Sequence, residues 1–373
     1  MSNRARDSGS GNLRGRPFMP MYAITALALL AIAATLVPLI RRSDWWVRVF
    51  DFPRLQIAAL MAPVIIAFIV TMNPSHPAHL ALLGALLICG GYQARRILPY
   101  TPIAPVQMQP AARHAPDGGA ALSILIANVL MTNRRAEGLL EQIRKTDPDL
   151  VLVLESDAWW EEQLAPLERT HPHCLKHARD DTYGMHFYSR RKLIDPEIRF
   201  LIDPGVPSVY TGVLLPNGHR VTLFGLHPSP PVPTESTEST ERDGELLLVA
   251  RDIENRGGTS VVCGDLNDVA WSATTRLFQR ISGLLDPRLG RGFFSTYHAR
   301  VPILRWPLDH IFASPDFTLI ELRRLAGFGS DHFPILARLR YTPQAEAIHD
   351  DLDASEAERA LARDKIATAR GGA

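Results

Sequence analysis

The sequence predicts an α/β domain tethered to a bilayer by three transmembrane helices. Three observations support that expectation. The first hundred residues hold three long apolar runs almost free of charge. From about Ala120 onward, short apolar runs alternate with amphipathic stretches, the pattern of strands interleaved with helices. Those apolar runs end, one after another, in a polar residue.

Composition narrows the class. In 373 residues the formal net charge is +1, so bulk charge points to no nucleic-acid partner. The three cysteines, Cys89, Cys174 and Cys263, have neither metal spacing nor an even-numbered framework, and read as small buried hydrophobes.

Residues 1–20 are polar and rich in arginine, and read as a disordered tail. The region 21–98 follows as a three-helix membrane unit. Met21 to Ile40 is long enough to span a bilayer and lacks a small-residue cleavage site behind it. RRSDWWVRVFDFPR, residues 41–54, mixes Arg with Trp45, Trp46, Phe50 and Phe52, which suits headgroup level with the arginines reaching outward. Leu55 to Met72 is the second span and Leu80 to about Leu98 the third, where Gly84, Gly90 and Gly91 permit close helix packing. The result is a multi-pass membrane protein, with a bacterial inner membrane as the expected location. The loop arginines favour a cytoplasmic C-terminal domain and the arginine-rich tail favours the reverse, so the count fixes no side.

Residues 99–119 carry five prolines and end in Gly118-Gly119, the composition of an extended linker. The α/β domain is expected over 120–341. LSILIANVL (122–130) and Leu150–Leu154 read as strands. Between them Ala136, Leu139, Leu140 and Ile143 form one helical stripe. Asp157 suits a helix cap before AWWEEQL. Strands are expected at 183–189, 208–215, 220–226, 308–312 and 334–340, with a Pro-Asn-Gly turn joining 208–215 to 220–226. A helix is expected at 245–255. Residues 342–373 are charged and alanine-rich, a solvated helix or tail.

TSVVCGDLN, 259–267, is the most informative stretch. A buried strand ends in Gly264, and on a continuing extended path Asp265 and Asn267 face the same way. A carboxylate at the end of a buried strand needs a partner: a metal, a water or a phosphate. Asn128 closes ILIAN, Glu155 closes LVLVLE and His227 closes VTLFGLH. Asp309 and His310 lie in WPLDHIF, and Asp331 and His332 in GSDHFPILARL. Oxygen ligands without a Cys/His cluster suit Mg²⁺ or Mn²⁺ rather than zinc. Taken singly, each residue also has a bland reading. Asn128 can satisfy a strand end, Glu155 can pair with Arg190 or Arg191, and Asp309 can cap a turn. His310 reads as a core residue, His171, His173 and His177 as loop or surface residues, and Trp159 and Trp160 as packing.

Together, Asn128, Glu155, GDLN (264–267), LDH (308–310) and SDH (330–332), with HPSPP at 227–231, resemble the endonuclease/exonuclease/phosphatase superfamily, and the N-terminal spans resemble its bacterial membrane-anchored branch. The resemblance implies a four-layer α/β sandwich, two mixed β-sheets face to face with helices outside. It implies Glu155 as the principal Mg²⁺ ligand, with Asn128 and Asp331 nearby. Asp265 would orient or deprotonate water, with Asn267 holding Asp265 and a phosphoryl oxygen. His332 would donate to the phosphate, oriented by Asp309, and His227 would assist the leaving group. Some members carry an acid two residues after the first-strand Asn; here that position is Leu130, which weakens a two-metal scheme.

The expectation is therefore a membrane-anchored, Mg²⁺-dependent phosphoesterase acting through an activated water on a phosphodiester or phosphomonoester, with a lipid or small phosphoester favoured. The alternatives are a Mg²⁺-dependent nuclease, for which Arg288, Arg291, Arg300, Arg323 and Arg324 supply scattered positive charge, and an inactive membrane-tethered binding module.

Overall fold

The computed structural model describes residues 21–112 and 118–371. The expected tail at 1–20 and residues 113–117 of the expected linker lie outside the described residues. Three helices are long and apolar enough to cross a membrane: α1 (Met21–Leu36), α3 (Arg54–Thr71) and α4 (Pro77–Ile97), with a short α2 (Trp45–Arg48) between the first two. Ile24, Ala28, Met61, Phe68 and Leu86 are buried where they meet, while Leu30, Leu60, Ile66 and Ile88 face outward. That inside-out apolar surface is what a lipid-facing bundle needs.

Two mixed sheets follow. The first has strand order β10-β11-β1-β2-β4-β3, built from β1 (Ala121–Asn128), β2 (Leu150–Leu154), β3 (His173–His177), β4 (Met185–Ser189), β10 (Phe317–Arg324) and β11 (Ile335–Tyr341). The second is β5-β6-β7-β8-β9: Leu193–Phe200, Pro207–Leu214, Arg220–Leu226, Ser260–Asp265 and Asp309–Ala313. The pairs β1·β2 and β7·β8 are parallel; the other pairs are antiparallel. Ile124, Leu152 and Phe187 of the first sheet pack against Val209, Leu223 and Ile311 of the second. Outside the first sheet lie α5 (Ala136–Thr146) and α6 (Ala158–Leu164). Outside the second lie α7 (Thr240–Arg256), α8 (Ala273–Ser282) and α9 (Glu356–Gly371). This is the expected four-layer sandwich. β1 from Ile124 to Ala127 and all of β2 are apolar because both faces are covered, one by the facing sheet and one by helices.

Two segments behave differently from expectation. The proline-rich segment is docked, at least as far as Ala112. Met108 is fully buried in the inter-sheet core, and the backbone at Gln109 and Ala111 bonds Leu319 along β10. An edge position suits proline, which has no N–H to offer a ladder. The C-terminal segment is not merely solvated either. Ala362, Ile366 and Ala369 form a buried stripe on α9, and Lys365 reaches Asp243 of α7 at 2.8 Å.

The N-terminal helical unit and the sandwich touch. Trp271 Nε1 donates to the Asp51 carbonyl at 2.7 Å, Gln56 Nε2 donates to the Ile303 carbonyl at 2.8 Å, and Ser239 N–H donates to the Ser43 carbonyl at 2.8 Å. Arg54, expected to reach outward, instead turns inward onto Asp51 at 2.5 Å and Gln93 at 3.3 Å. Burial in the helix bundle makes that pairing necessary for a charged group.

Candidate active site

Side-chain alternation assembles the site. On β1 the residues Leu122, Ile124 and Ile126 face the gap between the sheets, so Asn128 does too. The same parity places Asp265 after Val261 and Cys263 on β8, and Asp309 before Ile311 and Ala313 on β9. His227 follows Val221 and Leu223 in the same register, just beyond β7. Four strand ends thus deliver four polar side chains to one rim of the inter-sheet gap. Asp265 and Asp309 are direct cross-strand partners.

Glu155 reaches that rim by another route. Leu154 already faces inward, so simple alternation would send Glu155 to the helix side. Its backbone turns left-handed instead, with φ +56°. The Asn128 amide then donates to Glu155 Oε1 at 2.7 Å and to Asp265 Oδ2 at 3.1 Å. Its carbonyl oxygen accepts the Leu130 N–H at 3.0 Å. Asn128 is therefore a bridge between two acids. Arg190 and Arg191 pair with Asp147 and Asp149, which leaves Glu155 free of them. Burial raises the Glu155 carboxyl above the usual range, with Asp331 adding to the rise and His227, Asn128 and His332 opposing it.

The GDLN motif has a steric cause. Gly264 sits at φ +142°, and a Cβ there would lie 1.9 Å from the Leu226 carbonyl oxygen of β7. Only glycine permits this approach of the two strands. Beyond Asp265 the extended path ends. Asn267 has φ +49°, and its backbone N–H, rather than its side chain, donates to Asp265 Oδ1 at 3.0 Å. Its side-chain amide donates to the Pro228 carbonyl at 2.9 Å. The expectation that Asp265 and Asn267 face the same way on an extended path therefore fails, and Asn267 ties the GDLN turn to the HPSPP segment.

Asp309 and His332 form a buried pair, with His332 Nδ1 2.8 Å from Asp309 Oδ2 and Nε2 3.5 Å from Asp265 Oδ2. Burial works against a charged ring, but Asp309 and Asp265 outweigh it and push His332 up to about 10. Ser330 fixes this segment, its hydroxyl donating to the Asn128 carbonyl at 2.8 Å and accepting the His332 N–H at 3.0 Å. Asp331 lies beside it, half-buried. His227 is buried, with Nδ1 lacking a partner among the described residues and its ring 5.8 Å from that of Tyr183.

Asp265, Asp309 and His332 bring one ligand atom each to within 4.8 Å of one another, a possible cation site. His332 Nδ1 is engaged by Asp309, however, and a ring held charged is a poor ligand. Glu155 and Asp331 offer oxygen donors, the set a hard divalent ion prefers. Burial of Glu155 also costs energy that a cation would offset. The residues present fit such an ion.

Several contributors escaped the sequence reading. Tyr297 lies with its ring 5.0 Å from that of His332, and burial and then Asp331, Asp265 and Glu155 raise its phenol above the ordinary value. Arg242 on α7 is buried, donates to the Asn267 carbonyl at 2.7 Å, and pairs with Asp243 at 2.9 Å. A charged residue at a helix start reads as solvent-facing, so the sequence held no signal for it. His310 is a core residue as expected. Arg288 donates to its Nδ1 at 2.6 Å, which leaves Nε2 to donate to the Asp268 carbonyl. His171 is buried against the Pro148 carbonyl, and Trp160 is fully buried in packing.

A two-sheet sandwich whose strand ends gather acids, an amide and a His–Asp pair on one rim defines a phosphoesterase-type scaffold. The chain belongs to the Endonuclease/Exonuclease/phosphatase family, whose family profile matches residues 125–332. No curated protein matches it. Among solved structures, TDP2 from D. rerio, complexed with a single-strand DNA product, is 21% identical, covers 59% of this chain and 99% of its own, and superposes with TM-score 0.50. That likeness shows the shared fold. An endonuclease/exonuclease/phosphatase from Beutenbergia cavernae DSM 12333 is 18% identical over 60% of this chain and 72% of its own, TM-score 0.47. The human Nocturnin catalytic domain with bound sulfate is 16% identical over 60% and 95%, TM-score 0.47.

Proposed function

We propose that this protein is a membrane-anchored, divalent-metal-dependent phosphoesterase that hydrolyses a phosphodiester or phosphomonoester, with a lipid or small phosphoester as substrate. The observation that supports this most is the joint placement of Asp265, the Asp309–His332 pair and the Asn128–Glu155 bridge on one rim. Glu155 and Asp331 would hold the ion, Mg²⁺ or Mn²⁺, which when bound neutralises phosphoryl charge. Asp265 orients the attacking water and takes its proton, held in place by the Asn128 amide and the Asn267 N–H. His332, kept charged by Asp309, donates a hydrogen bond from Nε2 to a phosphoryl oxygen, an interaction that strengthens as charge develops. His227, beside Tyr183, would protonate the leaving oxygen.

Membrane attachment favours lipid, because three apolar helices and the contacts of Trp271 and Gln56 hold the sandwich at the bilayer. A nuclease is the second reading. A cleft of about 740 Å³ beside Leu130 and Ser330 is lined by Arg135 and Arg300, a surface that suits a phosphate chain, and by Arg134, which is paired with Asp157 at 2.6 Å. Arg288 is committed to Asp286 and Arg291 to the Met108 and Pro287 carbonyls, which removes two of the arginines counted for that reading.

The test is full-length protein in lipid nanodiscs, stripped with chelator and then given Mg²⁺ or Mn²⁺. It is offered bis-p-nitrophenyl phosphate, p-nitrophenyl phosphate, phospholipid and plasmid DNA in parallel. Metal-restored release from the phosphoesters or lipid is expected. Cleavage of DNA alone would replace the first reading with the second, and turnover that ignores the chelator would reject both.

A further inference from the structure

A second groove, of about 740 Å³, opens where the start of α3 meets the loop at 292–305 and the end of β10. Its two sides differ in chemistry. Leu55 and Ala59 of α3, with Phe294 and Leu322, make an apolar wall. Arg305, Arg323 and Arg324 line the rest. Leu55 and Ala59 are four residues apart on a helix, so that wall descends about 6 Å along a candidate membrane span. Next to it, Ile303 is 74% exposed and Leu304 42% exposed. Gln56 pins this loop to α3 through the Ile303 carbonyl. Adjacent exposed aliphatics beside a membrane helix mark a surface that meets lipid.

The arginines are not all neutralised. Arg323 pairs with Glu321 at 3.1 Å. Arg305 and Arg324 have no carboxylate partner among the described residues. Both lie over the Phe333 ring, at 5.2 and 4.4 Å from its centroid. Arg324 also donates to the Ser295 carbonyl at 2.8 Å. Arg305 donates to the Ala299 carbonyl at 3.3 Å, but its Nε is buried with no partner among the described residues. Burial and the neighbouring Arg305 lower the pKa of Arg324. Two like charges held together in a partly desolvated cleft attract an anion.

We propose that this groove binds the headgroup of an anionic glycerophospholipid from the leaflet that the sandwich faces, with the phosphate between Arg305 and Arg324 and the acyl chains beside Leu55 and Ala59. The apolar wall selects a lipid over a soluble phosphate, since only a lipid fills both halves of the site. A bound lipid would also fix the sandwich against the bilayer. Phe333, under both arginines, follows His332 directly in the chain. The site stands apart from the hydrolase reading, because binding is read without turnover.

The experiment uses the full chain reconstituted in phosphatidylcholine nanodiscs with and without phosphatidylglycerol. Lipids that remain bound after detergent extraction are counted by native mass spectrometry. The wild type is expected to retain phosphatidylglycerol in preference to phosphatidylcholine. The double variant Arg305→Gln/Arg324→Gln should bind phosphatidylglycerol about thirtyfold more weakly, as the loss of two cations near a membrane surface implies. Arg305→Lys/Arg324→Lys should recover much of the binding. Ile303→Glu, which changes a side chain that neither arginine bonds, should also weaken it and decides the matter if the glutamine variant fails to fold. Equal retention of the two lipids, unchanged retention in Ile303→Glu, or displacement by glycerol phosphate at matched concentration would each overturn the proposal.

Discussion

Asn128→Asp tests the bridge at the centre of the site. The wild-type amide donates to carboxylate oxygens at 2.7 and 3.1 Å. The substitution keeps the shape and replaces a donor with a third negative charge. At an effective permittivity of about 20, two unit charges 3 Å apart repel by roughly 5 kcal/mol. Two such contacts would exceed what the fold tolerates, so one carboxyl takes up a proton. At pH 7.5 that costs about 5 kcal/mol for a group of ordinary pKa, and less for Glu155, whose pKa burial already raises. The expected destabilisation in chelator is therefore about 3–4 kcal/mol, or a melting temperature lower by about 6–16 °C for a domain of this size. Mg²⁺ should return most of that loss, because three acids would then face a cation. Scanning fluorimetry on the full chain, with EDTA and with Mg²⁺, reads both effects. Asn128→Ala separates the added charge from the lost hydrogen bonds, which should cost only about 1–3 kcal/mol. An Asn128→Asp protein that melts with the wild type in EDTA, or gains nothing extra from Mg²⁺, would refute the bridge.

The remaining predictions concern the scaffold and the His–Asp pair. Glu245 is buried, accepts from Ser208 at 2.6 Å, and is pushed up to about 7 by burial. The folded state keeps this proton after the unfolded chain has lost it. Its contribution is full below about pH 4 and is lost as pH rises through about 7, a swing of roughly 3–4 kcal/mol. Glu245→Gln should flatten unfolding free energy across that window, and denaturant titrations with wild-type slope would contradict this. Gly264→Ala places a Cβ 1.9 Å from the Leu226 carbonyl and should cost upward of 4 kcal/mol; a variant melting within a degree or two of wild type would mean β7 and β8 are not this close. Asp309→Asn should lower turnover by about 10²–10⁴ while the circular dichroism spectrum stays native. An unimpaired rate would remove Asp309 from the site.

Much of this was legible in the sequence because the central strands are covered on both faces. Residues such as Ile124, Leu152 and Val262 form continuous apolar runs, so a polar residue at the end of a run stands out. Edge strands escape for the opposite reason. β5 carries Asp195, Pro196 and Glu197 at a break in its register with β6, and only the first three residues of β10 are buried, so neither shows a long apolar run. The directions of Glu155 and Asn267 depend on single left-handed residues that periodicity does not encode. Arg242 was hidden because a buried ion pair and a surface helix start share one composition. The docking of 99–112 was hidden because proline suits both a free linker and a sheet edge. On α9, alanines at 362 and 369 supply a packing stripe too small to register as hydrophobic.

The most direct test of the central claim is the turnover of Asp265→Asn in nanodiscs with Mg²⁺, on whichever phosphoester the wild type hydrolyses, with melting temperature measured alongside. The account predicts a rate lower by about 10²–10⁴ at near-native stability, because the group that orients the water and takes its proton is gone. A well-folded Asp265→Asn protein that turns over at the wild-type rate would contradict it.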